Sequence, residues 1–328
     1  MYFTKIEHPL NFSYKKTGDA ALEVRHLGED VYRVRYASRR WKEHGSAAVL
    51  GTDVFGRAKR GSVEVRGTGF RLLLDKKELL STTEEDGFGV LGPKWVLNFT
   101  SGPDLRFYGL GEKNTSFEKT GTRTKFWNTD VWADFHPQAH REGVTDPMYA
   151  SVPYLLVRTG NGWAGILVNN PYPVFMHLLA EDAIADGLHG ESPMPKRFSV
   201  GAPAGSPEIY LIAGNSAREV TTRLQRLVGT VPLPPLWALG YHQSRWGYAS
   251  FADLDALDEK FRSRKIPCDG LWLDIDYMEG FRVFTFNEKH FSSPKNQIED
   301  LKKRGRRVVP ILDPGIKADP EFEFFREG

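Results

Sequence analysis

The sequence predicts two domains: an all-β sandwich at the N-terminus, followed by the first three βα units of a (β/α)8 barrel. Short β-rich runs separated by Gly, Asn, Asp and Pro extend to about Asn215 and contain no convincing helical period. From Ser216 onwards, strands alternate with helices at intervals of roughly 35 residues, the size of a βαβ unit. A chain of 328 residues has room for both domains.

The N-terminal domain is predicted over residues 1–215, as a sandwich larger than an immunoglobulin domain. Its clearest strands are predicted at Val31–Tyr36, Ser62–Arg66, Phe70–Leu74, Lys94–Phe99, Tyr154–Val157 and Trp163–Val168. A long connection from Thr120 to Pro147 interrupts this pattern and contains the segment Phe126–Asp130. Connections of this length are functional or disordered, and the aromatic residues argue against disorder.

This connection has the residue types of a sugar-binding surface. A pyranose ring stacks on aromatic side chains, while acids and amides accept and donate to its hydroxyls. Packing against a neighbouring domain would use the same residues, so both interpretations stay open. His136 and His140 have the spacing of a helical metal pair, but Pro137 lies between them and no helical pattern surrounds them, so we expect no metal there.

Residues 216–234 are predicted to form a helix and a Pro-rich linker, and residues 235–328 an incomplete barrel. Ser216 and Glu219 form a capping box, and the prolines after Val231 indicate a stiff linker. The predicted strands are Leu236–Tyr241, the run from Leu271 to Leu273 and Val308–Leu312, with helices that begin after Ser250 and after Ser293.

Polar residues follow each predicted strand: Arg245 and Trp246, then Asp274 and Asp276, then Asp313. In a barrel the carboxyl ends of the strands meet on one face, where catalysis occurs. Because strand side chains alternate, we expect the carboxylates of Asp274 and Asp276 on the same face. Their mutual repulsion needs compensation by sugar hydroxyls or a metal ion, unless they merely cap nearby helices.

Composition excludes several classes of partner. The net charge of +2 with 26% charged residues gives no field that would attract nucleic acid or a membrane. The basic run Lys302–Arg307 falls at a predicted helix C-terminus, where we expect a solvated helix end. The single Cys268 fits a reducing compartment, the first residues lack a signal-peptide layout and no window is long and apolar enough to span a bilayer. A cytoplasmic location is expected.

The motifs of the chain, taken in order, resemble those of glycoside hydrolase family 31, the α-glucosidase group. The matching segments are Phe107–Glu112 (Phe-Tyr-Gly-Leu-Gly-Glu), Phe126–Asp130 (Phe-Trp-Asn-Thr-Asp), Ala238–Trp246, Asp274–Met278 (Asp-Ile-Asp-Tyr-Met) and Ile311–Pro314. Before Phe107 the sequence shows a compatible β pattern and no motif. Five such segments in the same order make the resemblance specific.

The resemblance implies a sandwich leaning over a catalytic barrel that removes terminal α-linked glucose with retention, using two carboxyl groups about 5–5.5 Å apart. By motif, the substrate-binding residues would be Asp130, Trp246, Asp274, Ile275 and Ile311. The residues expected to support them are Trp127, Arg245, Asp276 and Asp313. No cofactor and no metal are implied.

The sequence departs from the family at the catalytic residues. The family nucleophile lies in an Asp-Met-Asn-Glu motif that does not occur in this chain, and the acid/base Asp lies further on. A barrel has eight strands in about 250 residues, whereas this chain reaches Gly328 after three. We therefore expect an N-terminal portion that is inactive alone, with an α-glucoside oligosaccharide and the missing C-terminal part of the barrel as its partners.

Other functions are compatible with the same residues. Alpha-xylosidases, glucan lyases and transglycosylases share the family fold. A non-catalytic carbohydrate-binding module would use the sugar-binding residues without the catalytic ones. A metal-dependent barrel hydrolase would use Asp274, Asp276 and His136 as ligands.

Overall fold

The computed structural model describes residues 15–16, 19–42, 46–50, 55–56, 59–84, 86–131, 145–178 and 197–328. The chain divides into two compact units, unit 1 (Met1–Thr230) and unit 2 (Val231–Gly328). Antiparallel strands dominate the described part of unit 1, whereas strands and helices alternate in unit 2.

Unit 1 is built from sheets. Its described strands are β1 (Lys15–Lys16), β2 (Ala21–Gly28), β3 (Val31–Ala37), β4 (Gly61–Arg66), β5 (Gly69–Leu74), β6 (Lys77–Ser81), β7 (Phe88–Leu91), β8 (Lys94–Thr100), β9 (Arg106–Gly109), β10 (Arg123–Phe126), β11 (Tyr154–Thr159), β12 (Gly162–Val168), β13 (Val174–His177), β14 (Arg197–Ala202) and β15 (Glu208–Gly214). Two six-stranded antiparallel sheets have the orders β1-β7-β8-β14-β13-β10 and β2-β3-β15-β12-β11-β9, and β4-β5-β6 form a third sheet. The strands predicted from the sequence all lie within this set.

Side-chain alternation decides which face of each strand is buried. Along β3, Val34 and Tyr36 are buried, while Arg33 and Arg35 are half-buried. Buried side chains from the two six-stranded sheets meet in one core, where Tyr36 stacks on Phe88 of β7 with ring centroids 3.6 Å apart. Each fully buried side chain of this size contributes about 1.5–3 kcal/mol, so the core is the main stabilising element of unit 1.

Helix α1 (Ala217–Val228) packs on unit 1. The predicted capping box forms, because Ser216 Oγ accepts a hydrogen bond from the backbone N–H of Glu219 at 3.2 Å. Val220 and Leu227 are fully buried in a second apolar cluster of unit 1. The capping box in the sequence therefore predicted the start of this helix correctly. Its buried face carries apolar residues at helical spacing.

Unit 2 has the order of a parallel β/α fold. Its described elements are β16 (His242–Gln243), α2 (Phe251–Ser263), β17 (Gly270–Leu273), α3 (Pro294–Lys303), β18 (Arg307–Pro310), α4 (Glu323–Glu327) and the 3-10 helices Leu236–Leu239, Ile275–Tyr277 and Glu279–Phe281. The strands form one parallel sheet, β16-β17-β18, and the described residues contain no closed barrel. None of the described helices has the length and apolar character that a membrane span requires.

One face of this sheet carries the core of unit 2. Leu271 and Leu273 of β17 are fully buried and share an apolar cluster with Leu254 of α2 and Leu301 of α3. Strand alternation therefore places the half-buried Trp272 on the opposite face. The carboxyl ends of the parallel strands meet at one edge, as a barrel requires.

The predicted strand Leu236–Tyr241 is wrong. Residues Leu236–Leu239 form a 3-10 helix that follows Pro235, and the strand of this segment is limited to His242–Gln243. An apolar run has no period that separates a short strand from a helix, and proline fixes the backbone angle that starts a helix.

The start of α3 also differs from the prediction. Pro294 occupies the first turn as expected. Ser293, however, has a left-handed backbone with φ 50°, and its side chain makes no capping hydrogen bond. A side chain can cap a helix only when its own backbone is extended, so the sequence pattern overstated the role of Ser293.

The basic run Lys302–Arg307 is not simply a solvated helix end. Arg304 and Arg306 donate to the carboxylate of Asp258 at 3.0 and 2.7 Å, and Arg262 donates to it at 3.1 Å. Asp258 lies on α2 and is fully buried. A buried charge requires paired, hydrogen-bonded partners, so these arginines connect α2 to the α3–β18 segment.

Candidate functional site

The candidate site of unit 2 begins where β17 ends. The strand stops at Leu273, and Asp274 is the N-cap of the 3-10 helix Ile275–Tyr277, with Oδ1 accepting from the backbone N–H of Ile275 at 2.7 Å. The prediction that Asp274 and Asp276 share a strand face is therefore wrong. Aspartate competes with strand hydrogen bonding by capping turns. Oδ2 of Asp274 accepts no hydrogen bond from the residues that the structure describes, which leaves it for a ligand donor.

Asp276 holds the indole of Trp246. The Nε1–H of Trp246 donates to Asp276 Oδ2 at 2.9 Å, although the two residues are 30 positions apart. Trp246 is 68% exposed, so its position depends on this hydrogen bond more than on packing. The segments that follow β16 and β17 are thus brought together, as the strand-end pattern predicted. An exposed ring with a fixed edge can stack on the apolar face of a sugar.

Tyr277 connects the ends of β17 and β18. Its hydroxyl donates to the carbonyl oxygen of Ile311 at 2.8 Å, and the backbone N–H of Ile311 donates to the carbonyl oxygen of Leu273 at 3.1 Å. The Tyr277 side chain is buried, and this burial raises its pKa above the ordinary value. Ile311 is therefore fixed from two sides. Tyr277 has no role in the sequence-based prediction, although its place in the Asp-Ile-Asp-Tyr-Met segment is the available signal.

Two predicted supporting residues have weaker structural links to this site. Arg245 is exposed, and its Nε–H donates to the backbone carbonyl of Trp246 at 3.3 Å. Asp313 is exposed in a left-handed turn with φ 48°, and its side chain makes no hydrogen bond within the described part of the chain. The structure thus brings together Trp246 and Asp276, and it gives Asp313 no contact with them.

In unit 1 the candidate residues follow β10. Trp127 is 47% exposed, and Asp130 is also exposed. The segment between them is held by Asn128, whose Oδ1 accepts from the backbone N–H of Ser151 at 2.9 Å, and by a backbone hydrogen bond from Thr129. Val131 is the last described residue of this segment, and His136 and His140 lie outside the described residues.

A buried ion pair anchors the end of β10. Lys113 donates to the carboxylate of Asp146, and these side chains are 3% and 5% exposed. Asp146 also accepts from Thr124 Oγ1 and from the backbone N–H of Lys125, each at 2.9 Å. The pair is fully hydrogen-bonded, as a buried pair must be if it is not to destabilise the fold. Sequence reasoning missed it because its members are 33 positions apart.

A groove of about 300 Å³ opens beside this segment. Two of its side chains are partly exposed aromatic rings, Trp127 at 47% and Tyr172 at 44%. Its lining consists of Phe126, Trp127, Asn128, Ser151, Pro153, Asn170, Pro171, Tyr172 and Val174. Aromatic rings beside side-chain amides are the lining that a sugar ring requires.

Metal ligands are not grouped in the described part of the chain. No set of three or more His, Cys, Asp or Glu side chains there could hold a metal ion. The carboxylates of Asp274 and Asp276 are engaged by a backbone N–H and an indole N–H, respectively. These two donors offset part of the negative charge of the two acids.

Family models identify both units. The model of the glycosyl hydrolase 31 N-terminal galactose mutarotase-like domain matches residues 21–176. The model of the glycosyl hydrolases family 31 TIM-barrel domain matches residues 231–328. The chain belongs to glycoside hydrolase family 31, and the family expected from the sequence motifs is confirmed.

Curated relatives are similar to this chain over most of its length. Alpha-glucosidase 2 of Bacillus thermoamyloliquefaciens is 39% identical over 223 residues, which are 68% of this chain and 26% of that protein. Neutral alpha-glucosidase AB of Homo sapiens is 34% identical over 253 residues, 72% of this chain and 26% of that protein. The chain spans about a quarter of the length of these relatives.

Solved structures share the fold. A family 31 dextranase of Flavobacterium johnsoniae, complexed with isomaltotriose, superposes with a TM-score of 0.74 at 25% identity, covering 91% of this chain and 36% of that one. A glucosidase II alpha subunit superposes with a TM-score of 0.77 over 94% of this chain and 41% of that one. The second structure is 18% identical, so this likeness concerns the fold alone.

Proposed function

We propose that this chain is the N-terminal part of an exo-acting α-glucosidase, which removes terminal non-reducing glucose with retention of configuration. The observation that carries the proposal is the strand-end site of unit 2, where the Trp246 indole is held by Asp276 beside the capped Asp274. The names of the curated relatives support the same activity.

Each side chain of this site has a role that its geometry supports. The Asp274 carboxylate accepts a sugar hydroxyl through Oδ2, and a charge-assisted hydrogen bond of this kind is about twice as strong as a neutral one. Trp246 provides a wall on which the ring stacks. Ile275 and Ile311, which are both half-buried, are proposed to supply apolar surface to the same subsite. Asp130 of unit 1 is proposed to accept a sugar hydroxyl.

Neither carboxylate of this site is proposed as a nucleophile. Asp274 already caps a turn and Asp276 already binds an indole, whereas a nucleophile must approach the anomeric carbon without such partners. Retention needs two other carboxyl groups, about 5–5.5 Å apart, from the catalytic part of the barrel. We therefore expect the purified 328-residue chain to release no nitrophenol from p-nitrophenyl α-glucoside above the buffer rate. Turnover that follows the chain through gel filtration would contradict this expectation.

The role of Asp274 can be tested in an enzyme that contains this chain together with the catalytic part of the barrel. Asp274→Ala should lower kcat/KM by the worth of a charged hydrogen bond, about 1.5–3 kcal/mol, or roughly 10- to 150-fold. Asp300→Ala is the control and should have little effect, because Asp300 lies on α3 with its side chain 62% exposed. If Asp274→Ala lowers kcat/KM less than about threefold, the subsite assignment is wrong.

The substrates proposed are malto- or isomalto-oligosaccharides. The α-glucosidase names of the relatives support α-linked glucose, and the isomaltotriose in the dextranase complex supports the isomalto series. Comparing hydrolysis of maltotriose with that of isomaltotriose by the same enzyme would separate the two series. An α-xyloside cleaved faster than either would favour the α-xylosidase alternative.

A second function, carbohydrate binding without catalysis, is favoured by the groove of unit 1. Its exposed rings, Trp127 and Tyr172, suit weak stacking on a sugar. Titration calorimetry of the chain with maltose should then detect millimolar binding that Trp127→Ala abolishes. Phe117→Ala is the control, because Phe117 is 85% exposed in unit 1 and does not line the groove. Binding that both variants retain would reject the groove as its location.

A further inference from the structure

A hydrogen-bonded aromatic cluster lies on the face of the unit 2 sheet opposite the helices. Leu271 and Leu273 face the helical core, so Gly270 and Trp272 point the other way. His242 of the neighbouring strand β16 is in register with Gly270. The His242 ring therefore lies on the same face as Trp272, and the sugar-binding roles above use neither side chain.

Both ring nitrogens of His242 have partners. The indole Nε1–H of Trp272 donates to His242 Nδ1 at 3.0 Å, and His242 Nε2 lies 3.0 Å from the carbonyl oxygen of Trp237. An indole N–H can only donate and a carbonyl can only accept. Nδ1 must therefore be bare, and Nε2 must carry the hydrogen. The contacts select the neutral Nε2–H tautomer of His242.

The backbone is shaped to admit this ring. A Cβ atom at Gly270 would lie 2.6 Å from His242 Nδ1, so any larger residue would displace the imidazole. The His242 ring also stacks on Trp237 with centroids 5.5 Å apart and planes inclined by 15°. The guanidinium group of Arg307 on β18 lies over the Trp237 ring, 5.9 Å from its centroid. The cluster thus connects all three strands of this sheet.

We propose that His242 is a positioning residue, which fixes the Trp272 indole and, through it, the strand end that presents Asp274. Trp272 precedes Asp274 by two residues, about 6.6 Å along an extended strand. Rotation of the large indole would shift the backbone that sets the Asp274 cap. The effect on sugar binding rests on the proposed function, whereas the hydrogen-bonded state of His242 does not.

The tautomer can be measured on the unmodified chain. With ¹⁵N-labelled histidine, long-range ¹H–¹⁵N spectra distinguish a bare ring nitrogen from a protonated one. The chain has nine histidines, and the signal lost in His242→Asn identifies the relevant one. We expect a bare Nδ1 and a protonated Nε2. A protonated Nδ1, or averaged signals from two exchanging tautomers, would overturn the proposal.

Two variants separate positioning from simple packing. Asn places an amide oxygen where Nδ1 stands, so His242→Asn keeps an acceptor for Trp272. Gln places its amide near the Nε2 position, so His242→Gln keeps the link to Trp237 and loses the acceptor. The readout is hydrogen exchange of the Trp272 indole N–H, whose signal is identified by its loss in Trp272→Phe. Exchange should be about fivefold faster in the Gln variant, which corresponds to the loss of one hydrogen bond. In the Asn variant it should stay near the parent rate.

The outcomes of this comparison are distinct. Equal acceleration in both variants, with unchanged far-ultraviolet circular dichroism, would mean that His242 acts by packing alone and would overturn the proposal. If one variant fails to fold, the other identifies the His242 signals by their loss, and the tautomer measured on the parent chain is the deciding test. Since neither measurement uses a sugar, a parent chain with the expected tautomer and no sugar affinity would count against the proposed function alone.

Discussion

In unit 1 the large apolar side chains lie between two sheets, whereas in unit 2 many of them are exposed. The core residues Trp95 and Phe99 of unit 1 have at most 1% of their surface exposed. At the start of unit 2, Val231, Leu233 and Leu236 are 88%, 93% and 85% exposed. Apolar burial therefore stabilises unit 1 more than unit 2, since stabilisation follows the area removed from water.

The described part of unit 2 contains a buried charge cluster that links its elements. Its helices and third strand are connected through one buried carboxylate, Asp258, which accepts from three arginines. Unit 1 has the buried Lys113–Asp146 pair, and it also buries the side chains of four tyrosines, Tyr32, Tyr36, Tyr154 and Tyr210. Tyrosine ionisation should act mainly on unit 1, where burial raises the pKa of four tyrosines, against Tyr277 in the described part of unit 2. Loss of the Asp258 cluster should act on unit 2.

Alkaline pH should produce the largest difference between the units. Burial raises the pKa of Tyr32, Tyr36 and Tyr154, and it raises the pKa of Tyr210 to about 12. In the unfolded chain these groups ionise near pH 10, so their stabilising contribution is complete below pH 10 and is lost as the pH rises towards the folded-state pKa. Each contributes about 1.4 kcal/mol of lost stability per pH unit in that range. Urea unfolding between pH 8 and 11, followed by circular dichroism, measures how steeply the free energy of unfolding falls with pH.

A tyrosine variant isolates this effect from lysine titration. The Tyr36 hydroxyl donates to the carbonyl oxygen of Thr68 at 2.6 Å, and an ionised tyrosine could not donate. With Tyr36→Phe, the free energy of unfolding should fall less steeply above pH 10, by the contribution of one titrating group, about 1.4 kcal/mol per pH unit. Tyr172→Phe is the control, because its side chain is 44% exposed. Identical slopes in the parent and in Tyr36→Phe would show that the buried tyrosines do not govern alkaline stability.

Asp258→Ala should destabilise unit 2 selectively. Removing one member of a buried charge cluster costs about 3–5 kcal/mol, because the remaining charges keep their desolvation penalty. Hydrogen exchange with mass spectrometry should show faster exchange in α2 and α3, and unchanged protection in the sheets of unit 1. This result would show that the Asp258 cluster stabilises unit 2 and leaves the stability of unit 1 unchanged.

Asp255→Ala is the matched control. Asp255 lies one helical turn before Asp258, its side chain is 44% exposed, and within the described part of the chain it pairs with Arg304 alone. An exposed pair of this kind is worth about 0–1 kcal/mol. If both variants lowered the free energy of unfolding equally, or if unit 1 lost protection after Asp258→Ala, the Asp258 cluster would not stabilise unit 2 selectively.

The sequence predicts features that are set by local pattern. Alternating and β-rich runs predicted six of the described strands of unit 1, whereas β10 lies inside the connection predicted from Thr120 to Pro147. The helix starts predicted at Ser216 and Ser250 form, because each hydroxyl oxygen accepts from a backbone N–H in the first turn of α1 and α2, respectively. The motif segments gave the family, and the strand-end pattern placed Trp246 next to Asp276.

The features that the sequence does not predict are set by distant contacts. Asp258 and Arg306 are 48 positions apart, and nothing near Asp258 distinguishes it from a solvated helix residue except the i+4 partner Arg262. The same holds for His242 and Trp272, which are 30 positions apart. The strand predicted at Leu236–Tyr241 failed for a different reason, since an apolar run after prolines fits a 3-10 helix equally well.

Asp276→Ala should have the smallest effect on stability and a measurable effect on sugar binding. Trp246 is largely exposed, so loss of its hydrogen bond should change the free energy of unfolding by less than about 0.5 kcal/mol. Affinity for the sugar should fall about fivefold, because the indole loses its hydrogen bond to Asp276. Asp276→Asn keeps an oxygen that accepts from Nε1 and should restore most of the affinity.

Comparing Asp258→Ala with Asp276→Ala tests whether unit 2 uses different carboxylates to stabilise its fold and to orient its sugar-binding residue. Asp258 and Asp276 belong to the same unit, but one is buried among three arginines and the other accepts from an exposed indole. If Asp276→Ala lowered the free energy of unfolding as much as Asp258→Ala, the Trp246 hydrogen bond would be part of the framework of unit 2. An unchanged unfolding free energy with reduced affinity, restored by Asp276→Asn, would assign Asp276 to the orientation of Trp246 alone.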